Sequence, residues 1–186
     1  ASQLVDIGWS AFIMAGVEHA RVDPSLPGST LVLYDMPWTH SLPAAIGWSL
    51  LAGVLVKLLL RLPMWASVVV ALTVFSHWPL DLLVHRPDLP ISPWGGGLLG
   101  LNAWSSLPLT LALELPLFML AVWLYARSTQ ARDASGHWGL WGLVAFLFVI
   151  HGGNLFGSPP PSVQAIAWVG QMQWLLVLWG YWVDRH

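Results

Sequence analysis

Six stretches of this chain are apolar over lengths that match the hydrocarbon core of a membrane. About 20 apolar residues suffice for one helical crossing, and a backbone in lipid has to satisfy its own hydrogen bonds, which a helix does. Only 9% of the residues are charged, against about 25% in soluble domains. The sequence therefore predicts an all-α fold, a polytopic transmembrane helical bundle in a single integral membrane domain, 1–186. Its spans are predicted to be about six: residues 1–18, 41–60, 65–85, 105–126, 138–156 and 163–183.

Charge and cysteine content exclude several classes of function. The net charge is −2 and no basic patch is present, which argues against nucleic acid as a partner. The chain has no cysteine, so disulfides, thiolate catalysis and iron–sulfur clusters are excluded. It begins Ala-Ser-Gln-Leu, without Met or a basic leader, and we expect a native N-terminal segment to precede it.

The basic residues are distributed unequally between the two predicted sides of the membrane. Cytoplasmic segments of membrane proteins carry an excess of Lys and Arg near the helix ends. We therefore expect the connections 61–64 and 127–137 and the C-terminus in the cytoplasm, and the long loops 19–40 and 86–104 outside. The richer side holds Lys57, Arg61, Arg127, Arg132 and Arg185, and the other holds Arg21 and Arg86.

The third stretch carries three ionisable side chains at helical spacing. His77, Asp81 and His85 stand at i, i+4 and i+8 and so share one face of the predicted helix. Ionisable groups at membrane depth are costly and mostly face a bundle interior. Imidazole and carboxylate are also common metal ligands. The stripe is therefore predicted to be a functional site.

Helical geometry limits which of the three can share an ion. His77 and His85 are about 12 Å apart along the axis, so one ion cannot bind both unless the helix breaks. Pro79 removes one helical hydrogen bond and predicts a kink, and Pro87 places His85 on the last turn. We predict that His77 and Asp81 bind the metal, which leaves His85 to act on the substrate or to support the ligands.

Two residues cannot hold a catalytic ion, so other segments have to converge on this pair. His40 stands where the second stretch begins, within Thr39-His40-Ser41. It is a candidate ligand or general base, whereas Thr39 or Ser41 is interpreted as a helix N-cap.

Three acidic residues border or enter other spans. Asp6 is the deeper of the two in the first stretch and is the better candidate ligand. Glu18, followed by His19, is interpreted as a solvated helix end. Glu114 lies halfway along the fourth stretch, where it fits a ligand, a general base or a structural partner of an amide such as Asn102 or Asn154.

Two groups of residues resemble a known family. Thr39-His40-Ser41-Leu42, followed by Ser76-His77-x-x-Leu80-Asp81, resembles the bacterial membrane-bound metal-dependent hydrolase family. His85-Arg86-Pro87-Asp88-Leu89-Pro90, with Gly100-Leu101-x-x-Trp104, resembles an integral membrane subgroup within or beside it. The resemblance implies a helical protein of the inner membrane with a metal site drawn from His40, His77 and Asp81. Asp6 fits the position of an acidic motif in that family.

The leading hypothesis is a membrane-embedded, metal-dependent hydrolase that acts on a lipid or lipid-linked substrate. Mixed nitrogen and oxygen ligands favour zinc as the divalent ion. Either Asp6 or Glu114 would complete the ligand set or take the proton of a water molecule. The predicted ligands are His40, His77, Asp81 and Asp6, the predicted catalytic residues are Glu114 and His85, and Arg86 and Asp88 are expected to orient a polar headgroup.

Two alternatives follow from the same residues. The 14 tryptophans and the Gly- and Pro-interrupted spans also suit a non-enzymatic accessory subunit of a larger membrane complex, respiratory or photosynthetic. In that case His77 or His151 would be an axial ligand of a haem or chlorin pigment, or a hydrogen-bond donor. The third hypothesis is a transporter, because His and Asp inside a bundle suit proton or ion relays.

Overall fold

The computed structural model describes all residues from 1 to 186, and they are mostly helical. Two short antiparallel hairpins lie in the loops, β1 (His19–Val22) with β2 (Leu31–Asp35) and β3 (Leu89–Pro90) with β4 (Leu98–Leu99). A single 3-10 turn covers Ala103–Ser105. In chain order the helices are α1 (Leu4–Met14), α2 (Pro37–His40), α3 (Leu42–Leu59), α4 (Met64–Phe75), α5 (His77–Val84), α6 (Leu107–Ser128), α7 (Ala134–Phe156) and α8 (Val163–Val183).

Four helical segments are long and apolar enough to cross a membrane. They are α3, the combined segment Met64–Val84 formed by α4 and α5, α6 and α7. The all-α fold predicted from the sequence is therefore confirmed, and the four segments are compatible with a transmembrane bundle, whereas the number of six spans is not confirmed. α1 has only 11 residues, about half of a full crossing. α8 has 21 residues, but its apolar sequence is interrupted by Gln164, Gln171 and Gln173.

α1 packs against other parts of the fold on two sides. On one side its Val5 packs against Ala52 of α3 and Val74 of α4. On the other side Trp9 packs in a cluster with Ala167 of α8 and residues of the loops. Apolar residues therefore surround the helix, and its polar side chains are carried into the protein interior.

Polar contacts hold α1 against α8. Gln171 on α8 donates from Nε2 to the Ile7 carbonyl at 2.9 Å and to Ser10 Oγ at 2.7 Å. Gly170 lets the helices approach closely, since a Cβ at this position would lie 2.6 Å from Ser10 Cβ. Small residues commonly allow such close packing between membrane helices. The contact fixes the position of α1.

The helix that carries the predicted metal pair is interrupted at Ser76, which separates α4 from α5. Pro79 lies three residues later and lacks the amide that would bond to the Phe75 carbonyl. The interruption agrees with the kink predicted from Pro79. It places His77 in the first turn of α5 and Asp81 one turn later.

Arg86 ties the two long loops together beyond the end of α5. Its guanidinium donates to three backbone carbonyl oxygens, those of Pro27 at 2.8 Å and Ser29 at 2.7 Å in the loop between β1 and β2, and that of Leu31 at 3.2 Å at the start of β2. The Asn102 amide donates to the His85 carbonyl at 2.7 Å. The loops 19–40 and 86–104 are therefore packed over the end of α5 that carries His85.

Candidate metal centre

Four ionisable side chains, from α1, α2 and α5, lie close together. Asp6 Oδ1, His40 Nε2 and His77 Nε2 all lie within 4.8 Å of one another. Asp81 Oδ2 is 3.1 Å from His77 Nε2 and 3.7 Å from His40 Nε2. These four residues, which are the predicted ligands, are called the ligand cluster below.

The distances within the ligand cluster suit a small divalent ion. Asp6 Oδ1 lies 3.5 Å from His40 Nε2 and 3.3 Å from His77 Nε2. In a tetrahedral zinc site, bonds of about 2.0–2.1 Å place adjacent ligand atoms about 3.3 Å apart. The four nitrogen–oxygen distances, from 3.1 to 3.7 Å, lie around that value.

Two atoms of the ligand cluster are buried without a hydrogen-bond partner. His77 Nε2 and Asp81 Oδ2 are 3.1 Å apart, yet neither makes a hydrogen bond. Buried polar atoms are almost always paired, so an unpaired one calls for an explanation such as an ion. Two atoms with lone pairs that lie this close without a hydrogen bond between them are the arrangement expected of two ligands of one cation.

Burial and charge in the ligand cluster also favour a cation. The exposed fraction is 5% for His40, 11% for His77 and 13% for Asp81, but 33% for Asp6. Two carboxylates in such an environment cost free energy unless they are paired or bind a metal, and their combined charge matches a divalent ion. Asp6 is therefore the residue of the cluster most exposed to solvent.

Glu18 is buried next to the ligand cluster rather than solvated. Only 1% of its surface is exposed. Its Oε1 accepts the amides of Trp38 at 2.7 Å and Thr39 at 2.9 Å, and its Oε2 accepts Thr39 Oγ1 at 2.6 Å. Burial raises the pKa of the Glu18 carboxyl above its ordinary value, and these hydrogen bonds oppose the rise. The interpretation of Glu18 as a solvated helix end was wrong, because it reaches the start of α2.

Thr39 and Ser41, the two neighbours of His40, have different roles. Ser41 is the N-cap of α3, and its side chain accepts the Ala44 amide at 3.3 Å. Thr39 Oγ1 instead lies 2.7 Å from His40 Nδ1. The sequence allows either residue to be the N-cap of the helix, and the structure assigns this role to Ser41.

His85 lies beside the ligand cluster but does not belong to it. Its Nδ1 is 2.8 Å from Asp88 Oδ1, and its ring centre is 6.2 Å from that of His40. The indole of Trp104 covers the imidazole, with ring centres 4.7 Å apart. This agrees with the helical spacing, which separates His85 from the pair His77 and Asp81.

The remaining predicted residues lie further from the ligands. Glu114 Oε1 accepts Trp104 Nε1 at 3.0 Å, and its Oε2 is 3.5 Å from His151 Nδ1. Glu114 is thus paired across α6 and α7 and is not in the ligand cluster. Its catalytic role stays a prediction, as does headgroup binding by Arg86 and Asp88. The pairing with His151 was missed because neither residue signals its partner in the sequence.

The fold and the site together define a class, a helical membrane protein with a buried cluster of two carboxylates and two imidazoles. Comparison of the chain with protein-family models, curated proteins and solved structures finds no match. The resemblance to the hydrolase family therefore stays a prediction, and the geometry of the cluster is what supports a metal.

Proposed function

We propose that this protein is a membrane-embedded, zinc-dependent hydrolase that acts on a lipid or lipid-linked ester, phosphoester or amide. The observation that carries the proposal is the group of Asp6, His40 and His77, whose ligand atoms lie within 4.8 Å of one another, with Asp81 Oδ2 3.1 Å from His77 Nε2 and 3.7 Å from His40 Nε2. It is strengthened by the unpaired buried atoms His77 Nε2 and Asp81 Oδ2. A structural polar network would be expected to satisfy these atoms with hydrogen bonds.

The proposal includes a location and an orientation. The protein lies in the bacterial inner membrane with about six spans, α1 and α8 adding to the four long apolar segments. The loops 19–40 and 86–104 face outward, and the C-terminus is cytoplasmic. The distribution of basic residues supports this orientation, since five of seven lie on the side assigned to the cytoplasm.

The residues of the site divide between holding the ion and moving a proton. Asp6, His40, His77 and Asp81 would hold the zinc, which would polarise the scissile bond and make a water molecule more acidic. His85 takes the proton of the attacking water and returns it to the leaving group. Asp88 accepts the hydrogen on His85 Nδ1, so that Nε2 is the atom free to accept the proton.

An apolar groove supports a substrate with an acyl chain. It has a volume of about 600 Å³ and lies between α1, the first half of α3 and the loop that follows β3. Pockets of about 300–1,000 Å³ are typical for small ligands. Trp38 in its wall precedes His40 by two residues in the sequence, and none of the four residues of the ligand cluster lines the groove. Its lining includes Phe12, Trp38, Pro43, Trp48 and Trp94.

Substitution of His85 tests the proposed chemistry separately from metal binding. In a screen of lipid esters, phosphoesters and amides, wild type loaded with zinc is expected to hydrolyse one class. His85→Ala should lower kcat on that substrate by about 10²–10⁴-fold and keep its zinc. His19→Ala is the matched control, because His19 forms an imidazole–carboxylate pair with Asp35 at 2.6 Å but is exposed and outside the cluster.

Two results would count against the hydrolase. Equal rates for His85→Ala and wild type would remove His85 from the reaction. Purification of the wild type with a bound haem or chlorin, seen in its absorption spectrum, or within a stable membrane complex would favour the accessory-subunit alternative.

A further inference from the structure

A chain of hydrogen bonds connects Glu18 to a ligand of the proposed metal site. Glu18 Oε2 accepts Thr39 Oγ1 at 2.6 Å, and Thr39 Oγ1 is 2.7 Å from His40 Nδ1. The three residues are 5% exposed or less. Glu18 belongs neither to the ligand cluster nor to the predicted site residues. Its position nevertheless determines what Thr39 can do.

The direction of each hydrogen bond follows from the donors available. An ionised carboxylate can only accept, and a threonine hydroxyl has a single hydrogen. The Thr39 hydroxyl therefore donates to Glu18, and its oxygen is left to accept the hydrogen on His40 Nδ1. In the neutral imidazole this leaves His40 Nε2 as a bare lone pair, the form in which a histidine binds a metal.

Glu18 is held in place by a second set of contacts. Met36 precedes α2 and offers no side-chain cap to its free amides. Glu18 Oε1 accepts the amides of Trp38 and Thr39 instead. The carboxylate is thereby fixed at the start of α2, where the free backbone amides need an acceptor.

We propose that Glu18 is a positioning residue that, through Thr39, fixes the tautomer and orientation of His40 for metal binding. The inference rests on the proposed metal site. Partners that orient ligating histidines in this manner are known to raise metal affinity about 10–100-fold. Here the partner carboxylate acts through a threonine, and it also caps the helix that ends at the ligand.

The first readout is the position of the ring proton, which does not depend on metal. Metal-free, full-length protein labelled with ¹⁵N-histidine is measured by NMR at about pH 9, above the usual histidine pKa, and His40→Ala assigns the signal. Wild type and Thr39→Ser, which keeps the hydroxyl, should carry the proton on Nδ1. In Glu18→Gln the amide donates to Thr39, the hydroxyl turns towards His40, and the proton moves to Nε2.

The second readout is the zinc Kd, measured by competition with a chelator. Glu18→Gln and Thr39→Val should raise the Kd by about 10–100-fold, and Thr39→Ser should stay near wild type. Thr110→Val is the matched control, because it removes an equally buried threonine hydroxyl that bonds to backbone carbonyls of Ala103 and Ser106.

The outcomes separate this inference from the hydrolase proposal. A proton on Nε2 of His40 in wild type, or an unchanged Kd in both Glu18→Gln and Thr39→Val, would overturn the role of Glu18. If wild type binds no zinc but Glu18→Gln still moves the proton, the positioning role stands and the metal-dependent function fails.

Discussion

His77→Ala is expected to abolish stoichiometric zinc binding. His77 Nε2 lies between the two carboxylates, 3.3 Å from Asp6 Oδ1 and 3.1 Å from Asp81 Oδ2, so its loss removes a ligand that faces both. Removal of an outer partner of a ligand costs about 10–100-fold in affinity, and removal of the ligand itself should raise the Kd by more than about 100-fold. Hydrolysis should be lost together with the metal.

The measurement is the zinc content after dialysis, with protein purified without an oligohistidine tag. His151→Ala is the matched control, because His151 is also a histidine within a helix long and apolar enough to cross a membrane and is near a carboxylate, Glu114 at 3.5 Å. It should retain about as much zinc as wild type. Full zinc content in His77→Ala, or equal loss in both variants, would refute the assignment of His77.

Removal of the metal is expected to lower the stability of the folded protein. The ion would join α1, α2 and α5, whose two carboxylates otherwise face only the imidazoles of His40 and His77. A ligand present at about 100 times its Kd stabilises the native state by about 2.7 kcal/mol. Addition of a chelator should therefore lower the thermal unfolding midpoint of wild type by several degrees.

His77→Ala distinguishes the loss of stabilisation by the bound ion from other effects of the chelator. It has no complete site, so its midpoint should not change when the chelator is added, and it should lie near that of metal-free wild type. An equal fall in both proteins would mean that the chelator acts elsewhere. An unchanged wild type would contradict a bound ion that stabilises the fold.

The local part of the site could be predicted from the sequence. A helix places residues at i and i+4 on one face, so His77 and Asp81 are neighbours wherever the helix lies. The same rule kept His85 out of the ligand set. His40 and Asp6 were chosen only because of their chemistry and their places at the ends of spans, and the structure brings both to the pair.

The position of α1 could not be predicted. Hydropathy assigned residues 1–18 to a full span, but the helix ends at Met14 and is enclosed by α3, α4 and α8. Its burial depends on close contacts such as that between Gly170 and Ser10. These contacts join residues that are far apart in the sequence, and no local pattern specifies them.

Glu18 shows how a buried carboxylate can be mistaken for a solvated one. It follows the end of an apolar stretch and precedes a polar loop, which is typical of a helix end in water. A signal was present elsewhere, because Pro37 begins a helix and Met36 before it cannot cap the free amides. Those amides require an acceptor from another segment, and Glu18 supplies it.

The pairing of Glu114 with His151 was hidden for a different reason. α6 and α7 are apolar on all sides, and each has one buried residue, Thr110 and Gly136 respectively. The sequence of a helix without a polar face does not indicate which side of the helix faces the neighbouring helices. The sequence therefore located Glu114 at membrane depth but could not identify the residue opposite it.

X-ray absorption at the zinc edge of the full-length wild type, purified without an oligohistidine tag, tests the metal centre most directly. We predict about one ion per chain with nitrogen and oxygen ligands at about 2.0–2.1 Å and the scattering of two imidazoles, from His40 and His77. Protein that remains free of stoichiometric metal after dialysis against zinc, or a bound ion without imidazole ligands, would contradict the account.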